Sequence, residues 1–479
     1  MQRSGTEAAS GSRVPATASG TGGAASAPAF SSAYRRWLLL LILLASAFGY
    51  IDRVIIQTLG QAIKEDLRLT DFQLGILGGL SFALLYSTLG LPIARLAERA
   101  NRLRIIAVSI GVFSGMALLC GTAMSFAQLF LYRIGVGIGE AGVQAPSVSL
   151  LGDHFPAHRR GMALGIMKLG SPVGSVTGAV AGGWIAHAYG WRAALIAMAA
   201  PGLVLALLYL LTLREPPRGL SDDAGAPATD EPLPPFSQVM RLMLARAEFR
   251  HLLIGLALAT MGLYSAGAFV TAFFIRVHGL TLAQAGLYFG VLSGISATTG
   301  MLVGGYAIDA IARRGPQWYG LFPALGLVIA APLYLAGYSV ADARLSLALQ
   351  TLAGAFLLFH NVPTLVAFQN MVGLRMRASA AFVFFFVSTL VGIGFGPTLL
   401  GWLSDSFAAR AFGAGDFAQS CPGGKAVLAD LAGRCRQASA IGVRHALMAA
   451  VALMLWSAIH YAMAARRMTM AADNPTGKA

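Results

Sequence analysis

The sequence predicts an all-α membrane protein with twelve transmembrane helices in two pseudo-symmetric bundles of six. Three observations predict it. The 479 residues are 56% hydrophobic and 11% charged, whereas a soluble domain carries about 25% charged residues. Long apolar runs recur along nearly the whole chain, each long enough at ~1.5 Å per residue to cross a hydrocarbon core of ~30 Å. Near its middle the chain is interrupted by a segment rich in proline and acid: Pro216-Pro217, Asp222-Asp223, Pro232 and Pro234-Pro235.

Residues 1–34 are rich in Gly, Ala, Ser and Thr and hold no apolar run, so they read as a disordered tail and not as a cleaved signal peptide. The apolar runs place spans near residues 36–60, 72–94, 103–123, 126–150, 161–187 and 192–213. A second set follows near 250–275, 282–308, 317–338, 344–370, 379–405 and 440–464. The expected domains are therefore an N-terminal bundle over 35–213, a cytoplasmic linker over 214–248, a C-terminal bundle over 249–466 and a tail over 467–479.

The formal charge of +15 raises the question of nucleic acid, but the basic residues are spread over short loops and form no patch. With the N-terminus cytoplasmic and charges at span ends counted with the adjoining loop, 22 of the 35 Lys and Arg fall on the inside, 10 on the outside and 3 within spans. That bias puts both termini inside a multi-pass protein, expected in a bacterial inner membrane. The halves also look repeated. Arg159-Arg160-Gly161 and Arg375-Met376-Arg377 precede the fifth span of each half, and Gly183-Trp184-Ile185 has a counterpart in Gly401-Trp402-Leu403. Parallel repeats suggest two bundles rocking about a site at their interface.

Charges inside the spans are the strongest functional signal, since each costs at least ~2.5 kcal/mol near the bilayer centre. Asp52 and Arg53 lie in span one, and Arg133 and Glu140 lie two turns apart on one face of span four. Depth pairs Asp52 with Arg133 and lets Arg53 reach toward Glu140. The quartet reads as a proton-sensing or substrate-charge site, or alternatively as a static ion-pair lock. Lys168 in span five either snorkels to the headgroups or lines an inner vestibule. His360 and Asn361 make span ten polar enough to face a cavity or to bond a neighbouring helix. Tyr264 and Phe269 are candidates for an apolar lining. Gly170, Gly174, Gly178 and Gly182 recur every four residues in span five, a spacing that helix packing explains. Pairing with Gly392, Gly396 and Gly401 of span eleven would make it a rocking interface.

Cys120 reads as a small core residue, while Cys421 and Cys435 share the longest outside loop and can close it as a disulfide. The chain has no His-Glu-x-x-His zinc motif, no phosphate-binding Gly-Lys-Ser loop and no Gly-x-Ser-x-Gly elbow, which argues against an enzyme and against ATP as energy source. No cofactor or metal is expected.

Several motifs carry a resemblance. Ala97-Glu98-Arg99-Ala100-Asn101-Arg102 is similar to the Asp-Arg-x-Gly-Arg loop of the major facilitator superfamily, with Glu98 and Asn101 replacing Asp and Gly. Arg133-Ile134-Gly135-Val136-Gly137-Ile138-Gly139-Glu140-Ala141 resembles that superfamily's Arg-x-x-x-Gly-x-Gly motif with the ending of its Spinster-like branch. Tyr50-Ile51-Asp52-Arg53, Arg377-Ala378-Ser379-Ala380, Gly396-Pro397 and Gly401-Trp402-Leu403-Ser404-Asp405 resemble the same branch. Gly392-Ile393 departs from the Gly-Asp that branch often carries in span eleven.

The resemblance implies a monomeric secondary carrier working by alternating access. It would move a lysophospholipid or sphingoid phosphate with or against protons, amid membrane lipids and without nucleic acid. It also implies a cytoplasmic latch at Glu98, Arg99 and Arg102, with a looser counterpart in Asp309. The residues alone leave open a proton-coupled symporter of a small organic anion such as a sugar acid, and a non-transporting sensor or scramblase.

Overall fold

The computed structural model describes residues 30–218, 220, 236–373, 376–413 and 415–473, and among these every regular element is helical. Span one is Ser32–Leu67, capped by the Ser31 hydroxyl, which accepts from the Tyr34 amide. Span two starts with a Thr70–Gln73 capping box and is split by Gly79 into Asp71–Gly78 and Leu80–Ala97. Spans three to six are Arg102–Cys120, then Phe126–Glu140 with Gln144–His154, then Ala157–Tyr189, then Trp191–Thr212. Spans seven to nine are Ala247–His278, Leu282–Ile311 and Trp318–Ser339. Span ten runs from Ala343–Leu357 through the tight turn Leu358–His360 into Asn361–Asn370. Span eleven joins Arg377–Val387 and Gly396–Phe412 through the wide turns of Ser388–Phe395, and span twelve is Ala432–Asp473.

Among the described residues, ten helices are long and apolar enough to cross a membrane. The other two have identifiable causes. Span four breaks after Glu140, and span five carries His158, Arg159, Arg160 and Lys168 in its first turns.

Three boundaries differ from expectation. The segment expected as linker contains a helix, Phe236–Ala245, because Val239 and Met243, four apart on one face, are buried in the second-half core. Span one is helical from Ser32, inside the expected tail, and span twelve continues to Asp473. Residues 1–29, 219, 221–235 and 474–479, where the rest of the tails and linker were placed, lie outside the described residues.

The end of the bundle where span one begins and span twelve finishes is called here the tail end, and the opposite one the far end. Two clusters of buried apolar side chains fall mainly within 38–213 and a third mainly within 239–468. The two halves meet along two helix pairs, and small residues permit both contacts. In the first, a Cβ on Gly183 of span five would lie 3.2 Å from the Gly286 Cα of span eight, and Gly290 and Gly294 face Val180 and Val176. In the second, Gly75 and Gly79 of span two face the backbone of Pro397 and Ile393 in span eleven, while Gly401 faces Asp71. All these approaches lie between the middle and the far end. Toward the tail end, Gly161 and Gly165 of span five and Gly90 of span two have nothing within 4 Å of a built Cβ.

Gly170, Gly174, Gly178 and Gly182 do not face span eleven. They receive Ser46, Ala47, Ile51 and Ile55 of span one, within the same half. Gly396 packs on Met261 of span seven and Gly392 on Thr260, also of span seven. The expected pairing of spans five and eleven is thus corrected to five with eight and two with eleven.

Candidate functional site

Four of the intramembrane charges form two ion pairs between spans one and four. An Arg133 terminal nitrogen donates to Asp52 Oδ2 at 2.5 Å, and Arg133 Nε donates to the Leu77 carbonyl of span two at 3.4 Å. Arg53 donates twice to Glu140 Oε2, from Nε at 2.8 Å and from a terminal nitrogen at 2.6 Å. Arg133 and Glu140 are buried, whereas the Arg53 side chain keeps 18% exposure. Glu140 Oε1 is buried without a hydrogen-bond partner, beside a space of about 20 Å³ lined by Ser46, Gly49, Tyr50, Arg53 and Gln144. Such a volume accommodates a single water.

The local sequence explains this placement. Span four approaches its neighbours through glycine: a Cβ on Gly137 would stand 2.6 Å from the Phe82 carbonyl, and one on Gly139 2.5 Å from the Phe113 amide nitrogen. The Arg-x-x-x-Gly-x-Gly spacing therefore holds Arg133 and Glu140 against spans one to three. Aromatic rings complete the surroundings. The Arg53 guanidinium lies 4.7 Å from the centroids of Phe82 and Tyr86 and 5.2 Å from Tyr50, and Arg133 lies 5.7 Å from Phe82.

The remaining candidates scatter. Lys168 is exposed, and its ammonium reaches across to the second half, 6.0 Å from the exposed Phe385 ring of span eleven. Tyr264 is half-buried, lies against Gly392 and packs on the first-half core. Phe269 does not line an open path, since it is fully buried in the second-half core. His360 is likewise enclosed, its Nδ1 bonded to the Leu357 carbonyl at 2.7 Å, and neighbouring Asn361 is half-buried. At the tail end, Glu98, Arg99 and Asp309 are exposed and, among the described residues, have no ion-pair partner. Arg102 turns inward instead, onto Asp153 of the first half at 2.5 Å and onto Glu215, at the start of the segment expected as linker, at 2.6 Å. Among the described residues no latch joins the halves there.

A second charged cluster, at the far end, escaped sequence reasoning. Asp71, at the start of span two, takes Lys64 Nζ at 2.7 Å, both terminal nitrogens of Arg276 at 2.7 Å and the Ser404 hydroxyl at 2.6 Å. Asp405 accepts from the Asp71 and Phe72 amides at 3.0 and 2.8 Å, satisfying free donors at the helix start. Arg276 Nε also donates to Gln61 at 2.7 Å. Lys64, Asp71 and Arg276 are at most 4% exposed, and the cluster joins spans one and two to spans seven and eleven. Lys64 and Asp71 sit at either side of a loop, where ionisable residues are unremarkable, so spacing alone gave no signal. Above the cluster the loop after span eleven is closed by a Cys421–Cys435 disulfide, and Lys425 reaches Glu65 at 3.2 Å. Cys120 is free and buried.

Comparison with known proteins agrees with this architecture. A sequence profile of the Major Facilitator Superfamily matches residues 38–397. An MFS-type efflux pump of Mycolicibacterium smegmatis (strain ATCC 700084 / mc(2)155) is 29% identical over 373 residues, 78% of this chain and 85% of that protein. A probable galactarate/D-glucarate transporter of Bacillus subtilis (strain 168) is 24% identical over 318 residues, covering 60% and 68%. Among solved structures, a bacterial homolog to the human lysosomal transporter Spinster, in an inward-facing and unoccupied conformation, superposes with a TM-score of 0.83. It is 30% identical, covering 92% of this chain and 99% of that one.

Proposed function

Taking as premise that the chain belongs to the Major Facilitator Superfamily and is a Spinster-like multi-pass membrane transporter, we propose that it is a proton-linked secondary carrier of amphipathic anions working by alternating access. The observation that carries this reading is the Arg53–Glu140 pair, whose cation keeps partial exposure while its carboxylate is buried with one oxygen unpartnered. Protonating Glu140 removes the charge that holds Arg53, and Arg53 then becomes available to an anionic head group. A bound anion, conversely, competes with Glu140 for the same guanidinium. Proton and substrate are thereby linked through one side chain, and a ligand preferring one state shifts the population toward it.

Joined halves at the far end and unpaired charges at the tail end support a form open toward the tail end. With the termini cytoplasmic in a bacterial inner membrane, that form faces inward. Lys168 beside Phe385 offers a cation next to an aromatic ring, which suits a phosphate head and an acyl tail, as in a lysophospholipid or sphingoid phosphate. The likeness to a sugar-acid transporter favours a second reading, a small organic anion bound by the same cations.

Uptake into proteoliposomes with an imposed pH gradient tests both. A buried methylene contributes ~0.8 kcal/mol, so binding of lysolipids should strengthen about fourfold per added carbon until the site is full. A response independent of chain length, with galactarate accumulated instead, would replace the lipid reading by the organic-anion one. Equilibration without accumulation under any gradient would reduce the protein to a scramblase, and no flux at all to a sensor.

A further inference from the structure

Phe82 lies against both arginines of the charged site and belongs to neither ion pair. Its ring is 1% exposed and lies 4.7 Å from the Arg53 guanidinium and 5.7 Å from that of Arg133. The Tyr86 ring, itself 4.7 Å from Arg53, stacks on it at 5.0 Å. Its carbonyl is the atom that Gly137 of span four approaches. The charged groups facing this ring are thus Arg53 from span one and Arg133 from span four, and each carries its carboxylate, Glu140 and Asp52 respectively, on its far side as an ion-pair partner. Tyr264 from span seven and the buried Cys120 from span three lie within electrostatic range of the same charges.

The neighbouring residues of span two look the other way. Ala83 lies 3.3 Å from a Cβ built on Gly394 of span eleven, and Gly79, three residues before Phe82, stands against the Ile393 and Gly394 carbonyls. Span two therefore presents Leu77 O and Phe82 to the two arginines and presents Gly75, Gly79 and Ala83 to the other half. A guanidinium over an aromatic ring keeps its in-plane N–H groups free for carboxylates, so one ring can seat both arginines without competing for their hydrogen bonds.

We propose that Phe82 is a positioning residue: its ring seats both arginines in register and ties the protonation of Glu140, through Arg53, to span two, which slides against span eleven when the halves rock. This rests on the proton-linked reading for its transport consequence, while its effect on the carboxylates does not. Leucine at this position preserves apolar bulk and removes the ring. The Arg53 guanidinium is then seated less firmly on Glu140, and proton uptake at that pair occurs at higher pH. Only the part of the cation–π contact that differs between the two protonation states moves the midpoint, so the shift should reach at most roughly one pH unit.

The experiment compares wild type, Phe82→Leu and Phe82→Tyr by two pH profiles, one of transport in proteoliposomes and one of melting temperature in detergent. Both midpoints should rise together in Phe82→Leu and return to the wild-type value in Phe82→Tyr. If Phe82→Leu does not reach the membrane, Phe82→Met carries the same readout. A lower melting temperature at every pH with unmoved midpoints would overturn the proposal and leave Phe82 as packing alone. A melting midpoint that moves while wild-type transport is flat with pH would sustain the positioning role and defeat the proton-linked reading instead.

Discussion

Asp71→Asn should drive the transporter open at the far end. In the wild type that carboxylate faces Lys64 on its own half and a bidentate Arg276 on the other, with all three side chains at most 4% exposed. Removing one partner from a buried ion pair costs ~3–5 kcal/mol, because the remaining charge stays desolvated. Here two cations would confront each other with only Asp405 nearby. When the halves separate, water reaches both cations, so the penalty applies to the closed form. At ~1.4 kcal/mol per decade, a penalty of ~3 kcal/mol moves the closed-to-open ratio by about 10²-fold. Spin labels at exposed far-end positions, Met124 on the first half and Ala341 on the second, should report a longer distance in Asp71→Asn. Adding Arg276→Gln restores neutrality across Lys64 and Asp405 and should shorten it again. An unchanged distance in the single variant would refute the idea that this cluster holds the far end shut.

Three other outcomes are expected. Arg53→Ala and Glu140→Ala should each lower the melting temperature strongly, and the double variant should lose less than their sum, whereas strict additivity would show that the two side chains act apart. A Cβ on Gly286 would lie 2.5 Å from the Ala179 carbonyl, so Gly286→Leu should abolish transport by wedging spans five and eight apart in a protein that still folds, as uptake and size-exclusion profiles would read. Reduction of the Cys421–Cys435 disulfide, or its replacement by serine, releases a loop with a sequence separation of 14. Closing a loop of that size stabilises by about 3 kcal/mol in the chain-entropy account, and a melting curve indifferent to reductant would count against it.

Much of the first-half site was legible because its residues violate composition. Asp52, Arg53, Arg133 and Glu140 stand in otherwise apolar runs, and a charge in hydrocarbon requires a partner at matched depth. Partner choice followed from helix rise alone. The far-end cluster was illegible for the converse reason: Lys64, Asp71 and Arg276 lie at helix ends, where charge is ordinary, Asp405 lies in the part of its helix beyond the apolar run, and only tertiary packing brings them together. Phe269 and His360 lie enclosed in the second bundle, because a polar or aromatic side chain in a span can find partners within its own bundle, as His360 Nδ1 does at the Leu357 carbonyl while Nε2 stays buried without one. The glycine repeat of span five was read correctly as a packing face but given the wrong neighbour. Spacing reports that a helix comes close, not which one.

The far-end cluster also has a charge arrangement suited to opening. Lys64 and Asp71 belong to spans one and two, Arg276 and Asp405 to spans seven and eleven. Each half thus keeps one cation and one anion when they part, so separation strands no net charge on either face, unlike a single cross-half pair. The cost of opening is then mainly the Arg276 hydrogen bonds to Asp71 and Gln61, the Ser404 bond to Asp71 and the Asp405 bonds to the span-two amides. Charge-assisted bonds exchanged for water are worth ~1.5–3 kcal/mol each, enough to favour the closed form and small enough for a bound ligand with differential affinity to reverse. Span two carries Asp71 at its far end and Phe82 beside the ion pairs. The Gly79 break lies between them, so a change in the seating of the arginines has a short mechanical route to this lock.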